Sequence, residues 1–228
     1  MSERNDCSDG KQINDGKCLF CQNTRLLEIN YTGDDTWHYN CPYCGEYKIT
    51  DSALKEIFAD PEHDKKLNRL ASLFAERMLQ KRSSFLLGTY TDSQRMMFGY
   101  ADLLKQYPSD FREQHDRALL NFARLANYTP LSKIDDKVNP HVLFCDSFQE
   151  MYTFLRILKD ERYVNFNDQG SISAAYLISD VSLTVSGFEY VCSLGKDISK
   201  RQHAFVAMWF HDEMQLYRQE VQKAIIQA

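Results

Sequence analysis

Apolar residues recur at different periods along this chain, and each change of period marks a change of element. In the first fifth, "RLLEINYT" and "TWHYN" are rich in β-formers and are separated by Gly33, Asp34 and Asp35, which predicts a hairpin. The pattern then turns helical. A helix is predicted from Asp51 or Ser52, both good N-caps, up to Pro61, and a second follows in which Leu67, Leu70, Ala71, Phe74 and Met78 recur at three-to-four spacing. The aromatic-rich stretch from Phe85 to Pro108 reads as strand or loop followed by helix. From Asp110, a further helix carries Leu119, Leu120, Phe122, Ala123 and Leu125 inward and stops before Thr129-Pro130. A loop follows, then a helix from about Asp146 to Lys159, a strand, a turn at Asp168-Gln169-Gly170, a second strand, a turn and a helix start. Near the end, "AFVAMWF" is a continuous apolar run, as in a strand buried on both faces; Met214, Tyr217, Val221, Ala224 and Ile225 then return to helical spacing.

These elements predict an α+β chain, mostly helical, in five parts: a disordered tail over 1–15, a ribbon over 16–50, a helical segment over 51–109, a winged-helix-like domain over 110–195, and a linker with the first βα unit of an α/β domain over 196–228. One βα unit cannot bury its own apolar faces, so the sheet it opens is expected to be incomplete within these residues. The polar N-terminus lacks the basic-then-apolar order of a secretion signal and no apolar run approaches the ~20 residues of a membrane span, so the protein is expected to be cytoplasmic and to have no membrane partner.

A reducing compartment changes the meaning of seven cysteines, because it favours metal ligation over disulfides. Cys18 and Cys21, then Cys41 and Cys44, form two C-x2-C pairs with nineteen residues between them. Each pair turns two sulfurs toward one point, and together they predict a tetrahedral zinc site with Zn–S near ~2.3 Å, with iron the minor competitor; four thiolates close the shell, so the metal is expected to be structural. Gly45 follows the second pair and can take the left-handed backbone that aims N–H groups at sulfur; Gln22 and Asn23 stand at the corresponding place after the first. His38 reads as a strand residue at the surface rather than as a ligand.

Net charge is −5, from 27 Lys and Arg against 32 Asp and Glu, which weighs against broad binding to a phosphate backbone. One local exception is the second helix, where Lys65, Lys66, Arg69, Arg77, Lys81 and Arg82 lie mostly off the apolar stripe; they are candidates for nucleic-acid contact, against the plainer reading of a solvated face. Over 110–192 the order of helix, helical element, longer helix, β-wing and "SLTVSGFEYV" resembles a winged helix. Its candidate recognition helix carries Asp146, Glu150 and Asp160 against Arg156 and Lys159, and its Phe148, Met151, Tyr152, Phe154, Leu155 and Leu158 read as packing residues. Acidic groups repel phosphates, so docking to protein is favoured over reading DNA.

The terminal "FVAMWFHDEM" followed by an amphipathic helix resembles the opening of TIR-like or nucleoside 2-deoxyribosyltransferase-like domains. In bacterial proteins of that kind such a segment follows a zinc ribbon and a helical or winged-helix region, and the wider group cleaves N-glycosidic bonds in nucleosides or NAD, several members in antiviral defence. The resemblance implies that Trp209, Phe210, His211 and Asp212 belong to the nucleotide-lining loop after the first strand, with ordinary helix capping the alternative for His211 and Asp212. It implies a regulatory, sensor or docking module for such an effector, with zinc as its cofactor, a protein partner or self-association, and no catalysis in this chain. A zinc-dependent nucleic-acid-binding regulator and a self-assembly module that pairs its terminal strand with another copy are the alternatives. The sequence contains no phosphate-binding glycine loop and no H-E-x-x-H zinc pattern. Cys145, four residues after His141, imitates a nucleophile and its base, but "HVLFC" favours a buried, inert thiol.

Overall fold

The computed structural model describes residues 17–22, 28–32, 35–82, 84, 86–92, 97–132, 139–172 and 175–195. The tail over 1–15, the linker and the terminal strand and helix, with Trp209, Phe210, His211 and Asp212, lie outside the described residues. The chain is α+β. A five-stranded mixed sheet is built in sequence order from β1 (Glu28–Thr32), β2 (Thr36–Cys41), β3 (Gly45–Thr50), β4 (Leu86–Gly88) and β5 (Met97–Gly99). β1, β2 and β3 form an antiparallel meander in which Tyr31 faces Trp37 and Tyr39 faces Tyr47.

The meander does not close on itself. β3 pairs in parallel with β4, and β4 with β5. Parallel neighbours need a crossover, and two helices supply it between β3 and β4: α1 (Asp51–Ala59) and α2 (His63–Leu79). α1 starts one residue earlier than its expected caps, because the Thr50 hydroxyl accepts the Ala53 N–H at 3.2 Å. A short α3 (Tyr100–Leu104) leads from β5 toward the second half.

That half contains α4 (Phe111–Leu125), a 3-10 turn (Pro140–Leu143), α5 (Phe148–Asp160), the antiparallel hairpin β6 (Val164–Ile172) and β7 (Ala175–Leu183), and a helix α6 over 185–195. Caps fix its helix starts. Asp110 accepts from Glu113 N–H at 2.9 Å, and Ser147 accepts from Glu150 N–H at 3.2 Å while the Glu150 carboxylate reaches back past the cap to accept from Asp146 N–H at 2.8 Å. Two expectations need correction here. β6 runs through Asp168, Gln169 and Gly170, where a turn was expected; Asp168 pairs with Ile178 and Ile172 with Ala175, so the chain reverses after Ile172. Phe148, expected in the core, is 57% exposed, since it is the first residue of α5 and the inward face begins at Met151.

Two apolar cores meet along α2. The first joins Phe20, Tyr39, Tyr47, Ile49, Leu54 and Ile57 to the Leu67, Leu70, Ala71 and Phe74 face of α2, and so ties the meander to the helices that follow it. The second gathers Leu119 and Phe122 of α4, Phe154, Leu155 and Leu158 of α5, and Val164, Phe166, Val181 and Leu183 of the hairpin around Ala75 on the other face of α2. A helix buried on both sides cannot be amphipathic in the simple sense, which is why Ser72, Ala75 and Glu76 are buried outside the expected stripe. Glu76 meets Arg117 of α4 in a two-pronged pair at 2.6 and 3.1 Å, so the buried carboxylate is fully answered. The Asn121 amide donates to Val142 carbonyl at 2.8 Å, and the hydroxyl of Tyr107 and the amide of Gln114 both donate to Phe144 carbonyl at 3.1 Å. These bonds lock the 3-10 turn into the seam between the cores.

Candidate metal centre

Cys18, Cys21, Cys41 and Cys44 are brought together with their sulfur atoms all within 4.8 Å of one another. Two loops do this. The first lies ahead of β1, over 17–22, and the second is the tight turn between β2 and β3, whose ends pair Cys41 with Gly45. Both loops end in the left-handed backbone immediately after their second cysteine: Gly45 has φ +76° and Gln22 has φ +56°. Glycine takes that conformation without penalty, whereas Gln22 needs compensation. It comes from two contacts: Gln22 N–H donates to Cys18 carbonyl at 3.0 Å and its side-chain amide donates to Leu19 carbonyl at 3.0 Å.

Cys18, Cys41 and Cys44 are buried and Cys21 is half-buried. Donors already point at sulfur: Tyr43 N–H lies 3.4 Å from Cys41 Sγ, and the Tyr47 hydroxyl lies 3.3 Å from Cys18 Sγ. Such groups offset thiolate charge in metal sites. Hydrogen bonding from Cys21 holds the Cys18 thiol far below its usual range, while hydrogen bonds from its three partners, and then burial, push the Cys44 thiol far above. Four sulfurs this close share protons because they cannot all be thiolates without a cation between them. The donor set therefore fits a metal ion of tetrahedral, sulfur-loving chemistry, with no oxygen or imidazole ligand in the set. His38 stays outside: its Nε2 pairs with Glu46 at 3.0 Å on the outer side of β2 and β3.

The residues between the ligands are part of the site. Phe20, inside the first pair, packs its ring 4.7 Å from both Tyr47 and Phe74, and those two lie 4.8 Å apart. Nothing in the C-x2-C spacing foretells this; the signal is the unusual apolar content of Leu19-Phe20, both buried, in a loop that is otherwise polar. Since Gly45 has ordinary space around an added Cβ, the nearest atoms being 3.4 Å away on Met78, the cost of Gly45→Ala is conformational. It is expected to be about 1–2 kcal/mol in denaturant unfolding of the metal-loaded chain, whereas Gln22→Gly stays within about 0.5 kcal/mol because relief of strain offsets the lost amide bond.

The candidate nucleic-acid residues are dispersed along α2. Lys66 pairs with Asp60 at 2.5 Å, Arg69 covers the Tyr107 ring at 4.9 Å and Arg77 the Phe98 ring at 5.6 Å. Lys65 lies 3.9 Å from Glu62, and Lys81 and Arg82 follow the helix end exposed. In the second half, Lys159 donates to Phe166 carbonyl at 2.9 Å and covers that ring at 4.4 Å. Cys145 is fully buried with its thiol pushed up by burial, and His141 Nδ1 is buried without a hydrogen-bond partner among the described residues. No nucleophile–base contact forms between them, as the apolar surroundings imply. No helix among the described residues is long and apolar enough to cross a membrane. No protein-family model, curated protein or solved structure matches the chain.

Proposed function

We propose that this chain is the zinc-stapled regulatory or docking module of a TIR-like effector, and that its described portion is non-catalytic. The observation that carries the reading is the four-sulfur cluster, set against the first core through Phe20; four thiolates fill a tetrahedral shell and would leave no open position for a reacting water. Zinc is the proposed occupant, because it accepts four thiolates tetrahedrally without redox change. The order α4, 3-10 turn, α5, hairpin and α6 supports a winged-helix-like second unit. Its recognition helix and wing present little to a phosphate: 164–183 holds no lysine or arginine, and Lys159 is bound to the wing's own carbonyl. Docking to a protein surface is the better use of such a unit. The effector assignment comes from the likeness of the terminal segment to TIR-like domains.

The purified chain is expected to hold one zinc per molecule and to leave NAD and nucleosides uncleaved; turnover that follows the protein through purification would end the non-catalytic reading. Duplex DNA presented over a salt series separates the nearest rival. Binding that weakens steeply with salt and on changing Lys65, Lys66 or Arg69 would replace docking with nucleic-acid regulation. Light scattering with and without residues 203–228 reads the self-assembly alternative directly.

A further inference from the structure

The last turn of α2 faces a cleft of about 420 Å³ whose lining includes Arg77, Arg82, Arg117 and Arg124 against Glu76 and Glu113. Both carboxylates are already answered by one of the four: Arg117 binds Glu76 as described above and reaches Glu113 at 3.2 Å. Arg82 and Arg124 are not ion-paired among the described residues; the Arg124 guanidinium donates to the neutral Asn121 side chain at 2.7 Å. The helix end sets the course of the main chain at Arg82. Lys81 takes the left-handed conformation, φ +54°, and Arg82 N–H returns to Arg77 carbonyl at 3.2 Å, folding Arg82 back over the helix end. Half-burial, and then the charge of Arg82, both work against the guanidinium charge of Arg77. Complementing the negative ends of α2 and α4 is the plain reason to place Arg77 and Arg124 in their last turns, but Arg82 lies beyond the last turn of α2 and that reason does not cover it. Leu73, Leu103 and Leu120 give the same cleft an apolar side, and the Gln80 side-chain oxygen is buried there with no hydrogen-bond partner among the described residues.

We propose that this cleft between α2, α3 and α4 binds a small phosphorylated organic molecule, its phosphate on Arg82 and Arg124 beside Arg77, its organic part against the leucines, with a donor to Gln80. Guanidinium groups match phosphate oxygens in pairs, and the volume falls in the range of small-ligand sites. The proposal gives the regulatory reading a ligand, but its test does not depend on that reading: failure here leaves docking untouched, and failure of docking leaves binding here untouched.

Calorimetric titration of the metal-loaded full chain with inorganic phosphate, pyrophosphate and AMP at fixed ionic strength tests it. AMP is expected to saturate at submillimolar concentration and to bind at least ~10-fold more tightly than inorganic phosphate. Arg82→Glu and Arg124→Gln, each checked for an unchanged melting midpoint, should weaken AMP by at least ~10-fold, while Lys55→Gln on α1 stays within ~2-fold of the parent. Absence of saturable AMP binding overturns the proposal. Equal affinity for AMP and phosphate overturns the organic part, and binding indifferent to Arg82→Glu and Arg124→Gln places the anion elsewhere.

Discussion

Cys18→Ser, or stripping of the metal by a chelator, is expected to unfold the chain rather than to empty a peripheral site. Cys18 is fully buried, and the loop it anchors delivers Phe20 to the Tyr47 and Phe74 rings. Without a cation, four sulfurs within 4.8 Å cannot all be thiolates, and the first loop loses the ligand bonds that would tie it to β2 and β3. Apparent binding energies of structural zinc reach ~10–16 kcal/mol in small domains, as large as the ~5–15 kcal/mol net stability of a typical fold. The loss should spread, because α2 serves both cores and Glu76 on it is held by Arg117 of α4. Metal per chain measured beside the far-ultraviolet melting curve reads the outcome: wild type near one metal with a cooperative transition, Cys18→Ser near none with the transition lost at 37 °C. Cys192→Ser, at an exposed position, serves as the control. A Cys18→Ser chain that melts where the wild type does would show that the cluster is not what holds the fold.

The cluster was legible because ligand spacing is a local property. Two C-x2-C pairs and a following glycine state a chemistry that needs no knowledge of the rest of the chain, and Gln22 in the left-handed conformation stands where the sequence marked a departure. Helix starts at Asp110 and near Ser147 were readable for the same reason. The pairing of β3 with β4 was not. It joins residues separated by two helices, and three-residue strands such as Leu86–Gly88 carry too few side chains to show a period of two. The buried face of α2 opposite its stripe was hidden too: Glu76 reads as a surface residue until Arg117 arrives from 41 positions away. The turn expected at Asp168-Gln169-Gly170 failed because glycine and polar residues at a strand's outer end look the same as those of a reversal.

The "LT..G" ending has a physical explanation that needs no ligand, and it sets up the second large effect, that of Gly187→Ala. α5 closes with Arg162 in the left-handed conformation, φ +65°, and Tyr163 N–H returning to Leu158 carbonyl at 2.9 Å. Thr184 then clasps this turn: its N–H donates to Tyr163 carbonyl at 3.0 Å, its hydroxyl donates to Arg162 carbonyl at 2.5 Å, and its oxygen accepts Gly187 N–H at 3.0 Å as the cap of α6. The clasp brings Gly187 against the Tyr163 backbone, so that an added Cβ would stand 2.0 Å from the Tyr163 carbonyl oxygen and 2.8 Å from its carbon. Backbone cannot rotate aside as a side chain can, so α6 must shift. That movement costs the stack of Tyr163 on Tyr190, now at 4.9 Å, and the 2.9 Å bond from the Tyr190 hydroxyl to Asp116 of α4. Overpacking costs typically ~1–3 kcal/mol, and a clash with main chain belongs at the top of that range, about 3 kcal/mol. For a chain of this length that lowers the melting midpoint by about 6–12 °C. Ser186→Ala, exposed one residue earlier, should leave the midpoint within about 2 °C. If Gly187→Ala melts with Ser186→Ala, then α6 does not seat on the turn after α5, and the second half loses the contact that sets its hairpin against its helices.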